Sequence, residues 1–136
     1  MKARILNEQG EKTSILVFDK GDEVMSTLLQ FITQNTLYAA HFTAIGAFSD
    51  MTVGYFQHEQ VEVLSLLGDI ALKEDGTPQI HAHVVVGDSN GMAHGGHDME
   101  AHVWPTLELI LEEAPAQLHK RSDPESGLAL IDPSQS

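Results

Sequence analysis

The sequence contains no cysteine and no long apolar run. The absence of cysteine excludes disulfides, thiolate nucleophiles and cysteine-ligated zinc or iron–sulfur sites, and it favours a reducing compartment. No stretch of about 18 consecutive apolar residues occurs, so the sequence predicts no transmembrane helix. The N-terminus becomes acidic by Glu8, which is too early for a secretory signal peptide. We therefore expect a cytoplasmic protein with no membrane partner.

Positive charge is also scarce. Seven lysines and arginines stand against 20 aspartates and glutamates, which gives a formal net charge of −13. Proteins that bind nucleic acid draw most of their non-specific affinity from lysine and arginine side chains that neutralise phosphates. The few basic residues are scattered along the chain: Lys2, Arg4, Lys12, Lys20, Lys73, Lys120 and Arg121. The charge of the chain therefore disfavours a nucleic-acid partner.

The spacing of apolar residues predicts one main helix within a series of strands. From Glu23 to Asn35 apolar residues recur every three or four positions, as on one face of a helix, and Asp22 can cap its start. Short apolar or alternating segments predict strands at the following positions: 15–18, 40–48, 51–56, 61–72, 79–86, 101–104, 106–112 and 128–131. This order is typical of an α+β fold with a mainly antiparallel sheet.

Several residues should interrupt or bend the strands. We expect breaks at Ser49-Asp50, at Gly68 and at Pro105, whereas Gly46 should mark a bulge or a close approach of two backbones. The length of 136 residues fits one domain, and 42% hydrophobic residues suffice for its core. We therefore predict a single domain over residues 1–136, with residues 132–136 as a frayed tail.

Five of the eight histidines fall within residues 81–102. Residues two apart on a strand project from the same face, so His81 and His83 should lie side by side. A tight turn then reverses the chain, and Gly95-Gly96 permits a backbone path that is closed to bulkier residues. This path would bring His97 back beside the pair. We predict that these three imidazoles, of His81, His83 and His97, converge on one point.

Three converging imidazoles would form a site for a divalent metal. We expect zinc, with Zn–N distances of about 2.0–2.1 Å, and Ni²⁺ or Fe²⁺ would also suit such ligands. Three protein ligands leave at least one coordination position open, where a bound water would lose a proton more easily. A hydrolytic reaction would also need a base, and no spacing selects one among four carboxylates: Asp88, Asp98, Glu100 and Glu108. Whether the site is catalytic stays open.

The other histidines fit different roles. His94 is either a fourth ligand or a loop residue, and His102 should face solvent or a neighbouring side chain. The isolated ones are ordinary surface or packed residues: His41, His58 and His119. Without a metal, the pair at positions 81 and 83 would simply be solvated or hydrogen-bonded.

A His-x-His pair also occurs in cupin domains, where a glutamate ligand follows three or four residues later. Val86 and Gly87 stand at those positions here. The third histidine also arrives too early for a separate cupin strand. The pattern therefore disfavours a cupin.

Five short blocks follow one another along the chain. They are Lys20-Gly21-Asp22-Glu23, Ala44-Ile45-Gly46-Ala47, Glu62-Val63-Leu64-Ser65-Leu66 with Gly68, His81-Ala82-His83, and Gly95-Gly96-His97. In this order they resemble the plant-and-prokaryote-conserved (PPC) domain family, and the resemblance runs on to Thr106-Leu107-Glu108. It therefore covers most of the chain.

The resemblance implies a compact domain with an antiparallel sheet, a homotrimeric assembly, and a metal held by His81, His83 and His97. Plant members also carry an AT-hook that enters the DNA minor groove, and its Arg-Gly-Arg-Pro segment is absent from these 136 residues. Two features depart from the family pattern, namely Asp98, where an apolar residue is usual, and the segment Leu118–Ile131 beyond the common core.

Three hypotheses of function follow from these observations. The first is a homotrimeric metal-binding domain that acts on or senses a small molecule. The second is a DNA-associated transcriptional regulator in which the trimer serves as an assembly hub. The third is an interaction module whose histidines hold no metal.

Overall fold

The computed structural model describes residues 1–6, 9–53, 56–114 and 117–136, with side chains for all of these except residues 56–58, 98 and 99. Across these ranges the chain forms one α-helix, α1 (Val24–Asn35), and eight β-strands. The strands are β1 (Lys2–Ile5), β2 (Thr13–Phe18), β3 (Ala40–Val53), β4 (Phe56–Leu72), β5 (Pro78–Gly87), β6 (Ala93–Glu113), β7 (Lys120–Ser122) and β8 (Ala129–Ile131). The predicted α+β fold with an antiparallel sheet is confirmed.

Strand β6 is the centre of the sheet. The strand order is β1-β2-β6-β3-β4-β5, and every strand pair is antiparallel. The C-terminal half of β6 lies between β2 and β3, whereas its first residues pair with β5. The pairings of β3, β4, β5 and β6 therefore close into a ring. No helix in the described part of the chain has both the length and the apolar character needed to cross a membrane.

Helix α1 begins one residue later than predicted, and its cap differs. The carboxylate of Glu23 accepts hydrogen bonds from the backbone N–H groups of Met25 (3.1 Å) and Ser26 (2.7 Å). Asp22, the predicted cap, instead accepts from the Asp19 N–H at 2.9 Å. The apolar face of α1 is buried against β5 and β6. Burial of that face holds a helix that would be too short to persist alone in water.

Two of the predicted interruptions do not divide a strand. Asp50 pairs with Glu59 of β4 and with His102 of β6, so β3 continues through it. Pro105 lies within β6 because the register there leaves three residues, 104–106, opposite the single residue Ala47. A bulge needs no ladder hydrogen bond from each of its residues, and it can therefore hold a proline.

Gly68 does not interrupt β4 but lies where the backbones of β4 and β5 approach closely. It pairs with Phe42 of β3 and with Ala82 of β5. A Cβ atom at position 68 would lie 2.3 Å from the carbonyl oxygen of His81 and 2.6 Å from Cζ of Phe42. Gly46 likewise permits a close approach, as predicted, since its Cβ would lie 2.3 Å from the Thr106 carbonyl oxygen. Both glycines let backbones meet where a side chain would separate them.

The C-terminal segment forms a second, two-stranded sheet of β7 and β8, of which only β8 was predicted. The last residues, 132–136, predicted to fray, make hydrogen bonds with the start of β7. The backbone N–H of His119 donates to Oγ of Ser136 at 3.0 Å, and this hydroxyl donates to the Asp132 carbonyl at 2.9 Å. These bonds fold the terminus back onto the start of β7.

A hydrogen-bonded ion pair links β3 to β6. His102 Nδ1 lies 2.7 Å from Asp50 Oδ1, and this bond raises the pKa of His102 above its ordinary value. Ser49 donates its hydroxyl to the same carboxylate at 2.9 Å. Of the two expected surroundings of His102, solvent or a neighbouring side chain, the structure shows a neighbouring side chain, that of Asp50.

We predict that Gly68→Ala lowers the free energy of unfolding by about 1–3 kcal/mol, because the added methyl group must push the β5 backbone away from β4. Urea unfolding measures the loss. Gly87→Ala, on the neighbouring strand β5, is the matched control, since its Cβ would meet only the Leu64 side chain at 3.4 Å. The control should change stability by no more than about 0.5 kcal/mol. Equal losses in the two variants would contradict this account.

We also predict that the Asp50–His102 pair stabilises the fold in a pH-dependent way. Because the pKa of His102 is raised on folding, the contribution is complete below the unfolded pKa of about 6.5 and is lost as the pH rises through the folded pKa. Asp50→Asn should therefore destabilise the protein more at about pH 6 than at about pH 9, by less than about 1 kcal/mol because solvent reaches both side chains, which are 57% (Asp50) and 37% (His102) exposed. Asp75→Asn, which faces no histidine, should show no such trend in urea unfolding between these pH values.

Candidate metal centre

Strand β5 places two histidines on one face. Ala82 and Val84 point into the core and are buried, so the alternation of the strand turns His81 and His83 outward. The same register sets His81 opposite Asp69 and His83 opposite Leu67 of β4. The predicted side-by-side arrangement of the two imidazoles follows from this alternation.

A tight turn returns the chain to the same place. The Asp88 N–H donates to the Met92 carbonyl at 3.0 Å, the Gly91 N–H donates to the Asp88 carbonyl at 3.0 Å, and Gly91 has a φ of +77°. The turn sets His97 directly opposite His83 in the β5–β6 pairing. Backbone pairing therefore brings the third histidine to the first two.

The glycine pair before His97 is required by space and not by an unusual backbone angle. A Cβ atom on Gly96 would lie 2.6 Å from Cγ1 of Val53, and one on Gly95 would lie 3.1 Å from the Val84 carbonyl oxygen. The two glycines thus let the β6 backbone lie close to β3 on one side and to β5 on the other, along a path that bulkier residues could not follow.

The three imidazoles come together as a group. Their ring centroids are separated by 4.9 Å (His81 and His83), 4.9 Å (His81 and His97) and 5.0 Å (His83 and His97). His83 Nε2 lies 3.1 Å from His97 Nδ1, and one ring nitrogen of each residue lies within 4.8 Å of the others. Two nitrogens on a tetrahedral zinc would be about 3.3 Å apart. The donor set therefore fits a divalent metal after small side-chain adjustments.

The site is open on one side. His83 and His97 are exposed, whereas His81 is half-buried. Burial, and secondly the nearby Lys120 cation, lower the pKa of His81 below its usual value. The imidazole is then neutral near pH 7, which is the state in which histidine binds a metal without first losing a proton.

Two charged residues that the sequence did not indicate adjoin the cluster. Asp69 Oδ2 lies 3.7 Å from His81 Nδ1, and Asp69 Oδ1 lies 2.9 Å from Nζ of Lys120. Asp69 could have been found only from the β4–β5 register, in which it faces His81. Nothing in the sequence pattern links Lys120 to that strand pair.

The remaining histidines lie outside the cluster. His94, weighed as a fourth ligand, is 2.9 Å from Asp88 Oδ2 instead. The others contact polar neighbours: His41 lies 2.8 Å from Glu112, His102 contacts Asp50, and His119 lies 3.2 Å from Gln117. The side chain of His58 lies outside the described residues.

None of the candidate bases with a described side chain joins the three imidazoles. Among the described side chains, the group of potential metal ligands contains these histidines and no carboxylate. Asp88 shapes the turn by accepting from the N–H groups of Asn90 (2.9 Å) and Met92 (3.0 Å). Glu100 and Glu108 are exposed, and the side chain of Asp98 is not among those described.

Comparison with known proteins agrees with this architecture. A solved protein from Ralstonia eutropha JMP134, named as a candidate DNA-binding protein, is 29% identical, with a TM-score of 0.80 over 88% of this chain and 90% of that one. The metal-containing protein AF0104 from Archaeoglobus fulgidus is 27% identical, with a TM-score of 0.78 over 88% of this chain and 92% of that one.

A longer protein also contains a similar segment. The chain is 28% identical over 117 residues to the bifunctional protein GlmU of Synechococcus sp. (strain JA-3-3Ab), and the match covers 79% of this chain. The chain spans only 18% of the length of that curated relative.

The model of one protein family matches residues 6–115, which include all three clustered histidines. It is the family that the five sequence blocks resemble. Because the match covers most of the chain, and because solved proteins share its fold over most of their lengths, this chain belongs to the Plants and Prokaryotes Conserved domain family.

Proposed function

We propose that this chain is a cytoplasmic, homotrimeric metal-binding domain that acts on or senses a small molecule. The observation that carries the proposal is the convergence of His81, His83 and His97, each with a ring nitrogen within 4.8 Å of the others. The name of the solved relative AF0104, a metal-containing protein, supports it. Zinc is the metal that the donor set favours, because neutral imidazoles are common zinc ligands.

The open side of the cluster is where a small molecule would bind. Three histidines leave at least one coordination position for water or a ligand atom. A metal held there would supply a Lewis acid that polarises an oxygen atom of the ligand. The protein would supply the orientation, since two of the three imidazoles are fixed by paired strands on either side of one turn. The open coordination position is therefore the place where we expect the ligand to bind.

An exposed apolar surface supports the trimer. The outer faces of β3, β4 and β6 present Ile45, Leu64 and Ile110, which are 61%, 51% and 50% exposed. They line a groove of about 650 Å³ together with Ile15 and Val17 of β2. Exposed apolar patches commonly mark surfaces that contact another protein. Neighbouring copies of the chain would cover this surface.

Protein purified without a metal-affinity column should contain nearly one zinc per chain by elemental analysis, and its solution mass should be about 44 kDa, three times the 14.8 kDa chain. The triple change His81→Ala, His83→Ala, His97→Ala should remove the metal, because no ligand then remains. A matched triple change of His41, His102 and His119 to alanine removes as many imidazoles and should leave the metal in place. Unchanged metal content in the first variant would end the proposal.

The second candidate function, a DNA-associated regulator, is favoured by the name of the Ralstonia relative. We expect no retention of duplex DNA at physiological ionic strength, since a net charge of −13 repels phosphates. Electrophoretic mobility shifts over a range of salt concentrations measure this. A specific shift at sub-micromolar protein would reverse the ranking. A trimer with neither metal nor DNA affinity would instead indicate an interaction module.

A further inference from the structure

We propose that Asp69, held by the buried cation of Lys120, is the positioning residue that fixes the tautomer and the orientation of His81. By this inference the C-terminal segment, which lies beyond the family match, completes the metal centre. The inference rests on the proposed metal function and names residues that the three-histidine pattern does not include.

The first step is the burial of Lys120. Its side chain is only 2% exposed, and its Nζ lies 2.9 Å from Asp69 Oδ1. A buried ammonium group strongly destabilises the fold unless an anion compensates its charge. The contact is an ion pair without hydrogen-bond alignment, since Oδ1 finds no hydrogen-bond donor among the described residues. The ammonium group thus draws one oxygen of Asp69 away from the histidines.

The second step is the direction of the other oxygen. Asp69 is the cross-strand partner of His81, and its Oδ2 lies 3.7 Å from Nδ1 of that ring. This separation is an electrostatic contact and is longer than a hydrogen bond. A carboxylate next to Nδ1 favours the tautomer that carries its proton there, which leaves Nε2 free as the metal ligand. Carboxylates in this position commonly orient metal-binding histidines.

The third step is the attachment of the segment that carries Lys120. The Leu72 N–H at the end of β4 donates to the Leu118 carbonyl at 2.8 Å, and the Ser122 N–H donates to Oε1 of Glu74 at 2.8 Å. Both contacts fix β7 beside the β4–β5 turn. The family match ends at residue 115, before this segment begins. The cation behind Asp69 therefore comes from the segment that follows the family match.

The test starts with the metal-free protein, so that it does not depend on metal binding. Long-range ¹H–¹⁵N spectra at about pH 8, where histidines with ordinary pKa values are neutral, report the tautomer of His81. The proton should lie on Nδ1 in the unmodified chain, and Asp69→Asn should give a mixture of tautomers. Lys120→Met should likewise give a mixture of His81 tautomers. Added to Asp69→Asn, it should leave the ratio of tautomers as it is in Asp69→Asn alone. The controls are Asp75→Asn and Lys73→Met, from an exposed pair with Nζ and Oδ2 3.8 Å apart, and they should change nothing.

The second measurement is zinc affinity by competition with a chromophoric chelator. Asp69→Asn should weaken zinc binding about 10–100-fold, the usual effect of removing such an outer partner. The Asp75→Asn control should bind zinc as the unmodified chain does. Thermal unfolding of each variant identifies any that fails to fold. Should Asp69→Asn be one of these, because it leaves the Lys120 cation buried and unpaired, the double variant Asp69→Asn, Lys120→Met, which removes both charges, decides the inference.

The outcomes separate this inference from the proposed function. If the unmodified chain binds no zinc and Asp69→Asn still mixes the tautomers, the metal function fails and the positioning role stands. If zinc binds but Asp69→Asn leaves the His81 tautomer unchanged, the positioning role is overturned. The positioning role is also overturned if the zinc affinity of that variant falls while the tautomer stays unchanged. Loss of a nearby negative charge would then explain the weaker zinc binding.

Discussion

The register of β5 between β4 and β6 is the constraint on which the site depends. On one side it sets His81 opposite Asp69, and on the other it sets His83 opposite His97. A slip by one residue would turn both β5 histidines into the core and expose Ala82 and Val84. Burial of the apolar residues of β5 and the tight contact at Gly68 oppose such a slip, so packing of the core determines where the imidazoles point.

Electrostatics at the cluster differ from those of the chain as a whole. The protein carries a formal charge of −13, yet the cluster consists of imidazoles beside one balanced pair, Asp69 and Lys120. Burial lowers the pKa of His81 and so keeps its ring uncharged. The surrounding negative charge attracts divalent cations over a long range. Under the proposed metal function, neutral donors would bind the ion without repelling it, and the two effects would act in the same direction.

Local pattern was enough to predict much of the fold and the histidine group. Helix α1 follows from apolar spacing, and the meeting of the three histidines follows from strand alternation and a glycine-containing turn. Local pattern failed where long-range packing decides the outcome. The sequence predicts a strand break at Pro105, but a bulge in β6 accommodates this residue. It also predicts a break at Gly68, where the structure has a close contact between strands. Lys120 could not be linked to Asp69, since their contact depends on how a distant segment docks.

The central place of β6 has a consequence for how the chain is made. This strand pairs with β2, β3 and β5, so none of those strands has its full set of neighbours until β6 has been synthesised. Until β6 is synthesised, one edge each of β2, β3 and β5 has no strand partner. Such exposed edges are the ones through which incomplete sheets aggregate. Synthesis of β6 ends that interval in one step, and we expect folding to be all-or-none and late with respect to translation.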